Sequence, residues 1–290
     1  MTWDTAGRRH TLHSPHGSFR ATVDETGARI ASLLHVESGT ELLFRVDGRD
    51  VETPTAPGAS DSNREWHERY AGGWHTLVPN AGDHRTIDGV DHPFHGEAAW
   101  RRWATAEVQR DAVTLELALQ TVPLVVHRTT TVTEQGLHVR QRVMNTSAHP
   151  VAFTWTEHPA FSSAVVAPAT RVLLGDEQLT VMFPEPGHRH GAFRSLAVEG
   201  RGSVVVEAPE WTVTLRWDPA LLPHLHVWQE HRQTQTFPWW GRADTVALEP
   251  ASRPYAETGD ALGPIVLPAG EEVETVFVLD IAPSPSKENP

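Results

Sequence analysis

Alternation with period two constrains this chain more than any other feature. Val113, Leu115, Leu117 and Leu119 are separated by Thr114, Glu116 and Ala118, and Leu137, Val139, Gln141 and Val143 repeat the habit. Successive side chains of a strand point to opposite faces, so these runs read as strands with one face buried. Glycine follows Thr26, Asp88, Gln135 and Glu199 beside or between such runs, where a residue at positive φ lets the chain reverse. A sustained apolar stripe at helical spacing is hard to find, and 22 prolines interrupt the chain often. The expectation is an all-β fold, a large antiparallel β-sandwich in which amphipathic strands of two sheets share a core. No repeat of fixed period occurs, which disfavours a propeller or a solenoid.

The 290 residues are read as one domain over residues 1–281 with a frayed tail at 282–290. Asp50–Asn63 and Pro184–Gly191, rich in Pro, Gly and small polar residues, read as long loops rather than domain linkers. A net charge of −13 argues against nucleic acid or an anionic membrane as partner. With no cysteine, disulfides, iron–sulfur clusters, thiolate zinc and a Cys nucleophile are all excluded. Lys287 is the one lysine, so Schiff-base chemistry lacks its usual donor. Met1 to His16 holds no apolar stretch of signal-peptide length, and the expected location is cytoplasmic. Chemistry is left to carboxylates, arginine, tryptophan and 18 histidines.

Three places could carry it. Asp88-Gly89 can turn a hairpin between Ile87 and Val90, after which the chain reaches His95-Gly96, where the missing Cβ lets a ligand approach the backbone. His158 falls on the small, polar face of an alternating run over Val151 to Phe161, and Pro159 places it at a strand end. Glu249 ends the run Thr245 to Glu249 and faces away from Val246 and Leu248. Each has an ordinary reading as a surface loop histidine, a solvent-facing strand-end histidine or an edge carboxylate. Together, two imidazoles and a carboxylate would make a general acid/base set.

A competing pattern is His224-x-His226-x3-Glu230, which on a strand would point two imidazoles and a carboxylate the same way, as the first motif of a cupin-like metal enzyme does. The flanking glycines of that motif are absent, Asp218 and Phe237 standing in their places. The alternative is two histidines merely lining one strand face.

The chain resembles the aldose 1-epimerase (galactose mutarotase-like) family. The resemblance runs through Gly72-Gly73-Trp74 with Pro79-Asn80-Ala81-Gly82, His95-Gly96 with Trp100 and Trp103, and Arg128 to Phe161 with Asn145 and His158-Pro159-Ala160-Phe161. It closes on Val246-Ala247-Leu248-Glu249-Pro250. It implies a β-supersandwich with the sugar in a cleft on one broad sheet. Glu249 would be the general base, His158 the general acid and His95 the second active-site histidine, with no cofactor. Asn80, Arg85 and Trp228 would bind substrate, and Trp74, Trp239 and Trp240 join Trp228 as candidates to stack on the sugar. Arg64, Arg69 and Arg85 are the candidates to hold a phosphate if the sugar carries one. A carboxylate base and an imidazolium acid imply a bell-shaped pH–rate profile, rising as Glu249 ionises and falling as His158 loses its proton. A non-catalytic carbohydrate-binding sandwich is the other reading of the same cleft; the oligomeric state is left open.

Overall fold

The computed structural model describes residues 8–46, 61–255 and 261–284. Two large antiparallel sheets dominate it. The first runs Arg9–His13, Phe19–Asp24, Ile30–His35, Trp74–Leu77, Thr156–Phe161, Asp244–Ala251, His224–His231 and His190–Ala197, with Thr40–Glu41 added beside Ile30–His35. The second runs Glu177–Gln178, Arg171–Leu174, Ser203–Glu207, Trp211–Arg216, Glu272–Pro283, Gly136–Asn145, Leu124–Thr133, Ala112–Ala118 and Ala104–Val108. The all-β sandwich is therefore the fold. Among the described residues no helix is long and apolar enough to cross a membrane.

The period-two runs behave as their sequence dictates. Val113, Leu115, Leu117, Leu137, Val139 and Val143 turn into the core that the two sheets share. At Asp88-Gly89 both residues have positive φ, and the turn joins Arg85–Ile87 to Val90–His92 with Ile87 opposite Val90. Three boundaries differ from expectation. Residues 50–60 of the predicted loop lie outside the described residues, but Ser62 and Asn63 open an α-helix, Ser62–Arg69. The second loop ends two residues early, at the strand His190–Ala197. The presumed tail begins inside a strand: Glu272–Pro283 pairs Ala282 with Thr212, and Ser284 donates its amide to the Glu210 carbonyl. Residues 285–290 lie outside the described residues.

Between the sheets sits a fully buried ion pair. Arg128 donates to both oxygens of Glu157 at 2.9 Å, Trp74 and Trp155 add their indole N–H groups, and Arg128 also donates to Gln141. Each polar atom of the carboxylate thus has partners, the condition under which a buried charge is tolerated. Glu157 precedes His158, so the strand that anchors itself inward through Glu157 sends His158 to the opposite face.

The central strands of the first sheet are buried on both sides, unlike those of the second. Their inner face packs on the second sheet. The outer face is covered by a smaller cluster that includes Trp66 and Tyr70 from the helix region and Trp239 from the loop after His224–His231, resting on Ala160 and Ala247. The candidate site opens in this outer layer.

Candidate active site

Strand register assembles a polar row on the outer face. His75 lies opposite His158, His226 opposite Glu249, and Ser195 opposite His226, while the Nε2 of His158 is 3.3 Å from Oε1 of Glu249. Five neighbouring strands each contribute one polar side chain. Beside it, Ala160, Ala247, Trp228 and Phe193 form a second row, since Ala160 pairs with Ala247, Ala247 with Trp228 and Trp228 with Phe193. The two alanines leave depth next to His158 and Glu249, and the aromatics beyond them raise a wall.

The resulting cleft, with an empty volume of about 540 Å3, has Glu249 and His158 in its lining, faced by His95, with Tyr70, Trp228 and Trp239 among its walls. Of the tryptophans expected to stack on a sugar, Trp228 and Trp239 line it. Trp74 is instead fully buried in the core, bonded to Glu157, and Trp240 is 61% exposed and is not part of the lining.

His95 is delivered by a loop bound tightly to its neighbour. Its amide donates to the Gly82 carbonyl, and the Gly82 amide donates back to His95 Nδ1 at 3.1 Å. An Nδ1 that accepts has no hydrogen, so the neutral ring keeps its hydrogen on Nε2. The next residue must be glycine: Gly96 has φ +78°, and a Cβ there would lie 2.5 Å from the Asn80 carbonyl oxygen and 2.6 Å from that of Val78. Asn80 itself is buried and donates Nδ2 to the Pro93 carbonyl, so it holds this loop from beneath rather than lining the cleft. His95 and His158 face each other with ring centroids 5.9 Å apart.

Burial sets the electrostatics. It pushes the Glu249 carboxyl up to about 8 and the His158 imidazole down to about 4. The same desolvation holds His75 and His95 well below the ordinary histidine range, helped at His75 by Arg29 and at His95 by the surrounding histidines. The two directions together favour a pair that carries one proton across the neutral range, with the carboxyl its favoured holder. That reverses the protonation states expected from reference values, in which the carboxylate is ionised and the imidazole charged. The cause is the dry outer layer, in which neither charge is solvated.

The remaining predicted residues lie elsewhere. Arg85, on its small hairpin, donates to the Ala261 carbonyl at 3.1 Å and is not part of the cleft wall. Arg64 faces solvent beside Glu68, and Arg69 pairs with Glu65 and lines a separate small cavity behind Trp66. The three members of the metal pattern do not converge: Glu230 accepts from the amide and hydroxyl of Thr234, and His226 turns to Glu249 and to the Arg253 carbonyl. Among the described residues no group of three or more His, Asp or Glu side chains is placed to hold a metal ion. Sequence reasoning missed Trp66, Tyr70, Phe193 and Tyr255, all on the cleft wall. The spacing of Trp66 and Tyr70, four apart in a polar helical stretch, was the available signal for the first two.

No protein-family model matches this sequence, and no curated protein does. Solved structures match over nearly its whole length. A galactose mutarotase-like protein from Lactobacillus casei aligns with a TM-score of 0.68 at 18% identity, covering 95% of this chain and 100% of that one. A galactose mutarotase related enzyme from Lactobacillus acidophilus gives 0.68 at 15%, covering 96% and 99%. An aldose epimerase homologue from C. elegans gives 0.63 at 13%, covering 97% and 100%. At these identities the likeness establishes a shared fold, which is the galactose mutarotase-like β-sandwich.

Proposed function

We propose that this protein is an aldose 1-epimerase that interconverts the α and β anomers of an unphosphorylated aldose by general acid/base ring opening. One observation carries the reading: Glu249 and His158, both buried, meet at 3.3 Å in an aromatic-walled cleft. Opening a cyclic hemiacetal requires removal of the C1 hydroxyl proton and delivery of a proton to the ring oxygen; closure after rotation about C1–C2 reverses both. A pair that carries one proton between an oxygen base and a nitrogen base has what both directions need. Glu249 in its ionised form takes the C1 proton, and His158, protonated in that tautomer of the pair, gives one to the ring oxygen. His95, with its hydrogen fixed on Nε2, is suited to donate to the same oxygens without itself changing charge. The apolar C–H face of a pyranose suits the faces of Trp228 and Trp239, whose negative quadrupole attracts C–H groups. No step calls for a cofactor or metal.

A neutral sugar is favoured because the arginines that could have met a phosphate are committed away from the cleft, Arg85 to a backbone carbonyl and Arg64 and Arg69 to glutamates of their own helix. The test is polarimetry, or NMR magnetisation transfer between anomers, on freshly dissolved free aldoses and their 6-phosphates. Faster exchange of at least one free aldose is the expected result. Sugar binding without faster exchange would make the protein a carbohydrate-binding sandwich, and acceleration confined to phosphates would overturn the substrate class.

A further inference from the structure

Of the two histidines in the sequence pattern that the proposed chemistry does not use, one stands beside its base. His226 stands opposite Glu249 in the register of adjacent strands, its side chain 3% exposed. Its Nε2 lies 3.1 Å from the carbonyl oxygen of Arg253, a group that can only accept, so Nε2 carries the ring hydrogen. Burial keeps this imidazole neutral near pH 7 by pulling it down to about 4. A neutral ring with its hydrogen on Nε2 has a bare lone pair on Nδ1, and that atom lies 4.0 Å from Oε2 of Glu249. The carboxyl thus sits between two imidazoles, His158 at one oxygen and His226 at the other.

We propose that His226 is a positioning residue for Glu249, its bare Nδ1 receiving the proton that the carboxyl carries on Oε2. Two lone pairs facing each other repel, while a lone pair facing an O–H attracts. His226 therefore favours the protonated carboxyl over the carboxylate, which makes Glu249 a stronger base toward the C1 hydroxyl, and it keeps the carboxyl from turning out of the plane in which Oε1 meets His158. The 4.0 Å gap exceeds a hydrogen bond and closes by a small turn of the carboxyl once Oε2 is protonated. The arrangement also accounts for the tie to Arg253, which prevents the ring from presenting an N–H to Glu249 in its place.

Other groups face the same carboxyl. His158 does so from Thr156–Phe161, Tyr70 from the end of the helix and Tyr255 from beyond Asp244–Ala251; His224 and Arg253 act on His226, as does His158. Both tyrosines are pushed above their ordinary range by burial and stay neutral.

The inference rests on the base role proposed for Glu249, and the experiment separates the two. His226→Phe keeps a flat ring and removes the acceptor; His226→Asn puts an amide oxygen near the place of Nδ1. Two measurements are made on each: the pH dependence of kcat/KM for anomer exchange, and a substrate-free 13C-NMR titration of glutamate-labelled protein that follows the Glu249 carboxyl directly. In His226→Phe the alkaline midpoint should fall by about one pH unit, the size of one lost hydrogen bond to the protonated form. kcat should drop with KM nearly unchanged, and His226→Asn should restore the midpoint. An unmoved midpoint in a folded His226→Phe protein, or a raised KM with kcat kept, overturns the proposal. His226→Ala, read by the same titration, serves if the Phe variant does not fold. If the wild-type protein exchanges no anomers yet its NMR midpoint moves in the variant, the positioning stands and the epimerase reading fails.

Discussion

His158 and Glu249, 91 positions apart in the chain, meet Nε2 to Oε1 at 3.3 Å with both side chains less than a tenth exposed. Because burial holds the imidazole down to about 4 and the carboxyl up to about 8, the pair gains a second proton at the lower value and loses its last one at the higher. The one-proton form is the one competent for ring opening. The pH profile of kcat/KM should therefore be a broad bell with limbs near 4 and near 8, in place of the narrow one between a free carboxylate and a free histidine. The limbs also exchange owners, the alkaline one following the carboxyl. Rates of anomer exchange in a series of buffers test this; a profile that collapses above about pH 6.5, the reference value of histidine, would return the alkaline limb to His158.

Glu249→Gln removes the base while keeping size and burial. The amide cannot take the C1 proton, and the loss of one general base costs about 10²–10⁴-fold in rate. The substitution also suits the site in one respect, since a neutral amide replaces a group already protonated at neutral pH, so the melting temperature should be held or raised. Polarimetry and thermal unfolding on the same sample check both. Wild-type rates in this variant would remove Glu249 from the mechanism.

How much of this was legible in the sequence depends on the layer concerned. The sandwich could be read because alternation at Val113 to Leu117 and Leu137 to Val143 is a direct imprint of one buried strand face. Strands buried on both faces carry no such imprint. In Thr156–Phe161 and Asp244–Ala251 one face meets the core and the other the aromatic layer, so the expected strand ends at His158 and Glu249 are wrong: both strands run on through Pro159 and Pro250, and both residues lie inside them. Their pairing follows from the order of strands in the first sheet, which period cannot reveal. Arg85 and Asn80 were assigned from motif position alone; their partners, the Ala261 and Pro93 carbonyls, are set by loops whose course the sequence does not encode locally. The helix that supplies Trp66 escaped because eight mostly polar residues make no stripe, and its two aromatics are bound by the tertiary layer rather than by helical propensity.

The buried Arg128–Glu157 pair should prove costlier to break on one side than to remove whole. Glu157→Gln leaves a guanidinium without its countercharge between the sheets and gives the Trp74 and Trp155 indoles one acceptor oxygen where they had two. A loss of about 3–5 kcal/mol in denaturant unfolding is expected. The double variant Arg128→Met, Glu157→Met removes both charges and should recover part of that loss. Recovery should stop short of the wild type, because the two indole N–H groups then lack an acceptor at about 1–3 kcal/mol each. Equal stability of the single and double variants would mean that the charge itself is not what the core must neutralise.

The site should also mark the protein's stability against pH with an asymmetric optimum. From 4.5 to 6.5, the reference values of the two residues, the unfolded chain holds the histidine proton of the pair and the native pair holds the carboxyl proton, so their contributions cancel. Above 6.5 the unfolded pair holds none while native Glu249 keeps its proton up to about 8, so stability falls as pH rises, by about 2 kcal/mol over that interval. On the acid side three further buried histidines have no such counterweight, and a fourth, His92, is lowered less by its burial. His75, His95 and His226 stay neutral in the fold well below 6.5, while the unfolded chain protonates all three. Each costs about 1.4 kcal/mol per pH unit once the pH drops below 6.5, so the acid slope should be about three times the alkaline one. Calorimetric melting from about pH 5 to about pH 9 should place the maximum between about 6.5 and 7, with the steeper fall toward acid. Replacing His226 with Asn removes one of the three and should reduce that acid slope by about a third, leaving the alkaline side as it was. A symmetric curve, or an acid slope indifferent to His226, would mean that these imidazoles are hydrated in solution and that the dry layer around Glu249 does not persist there.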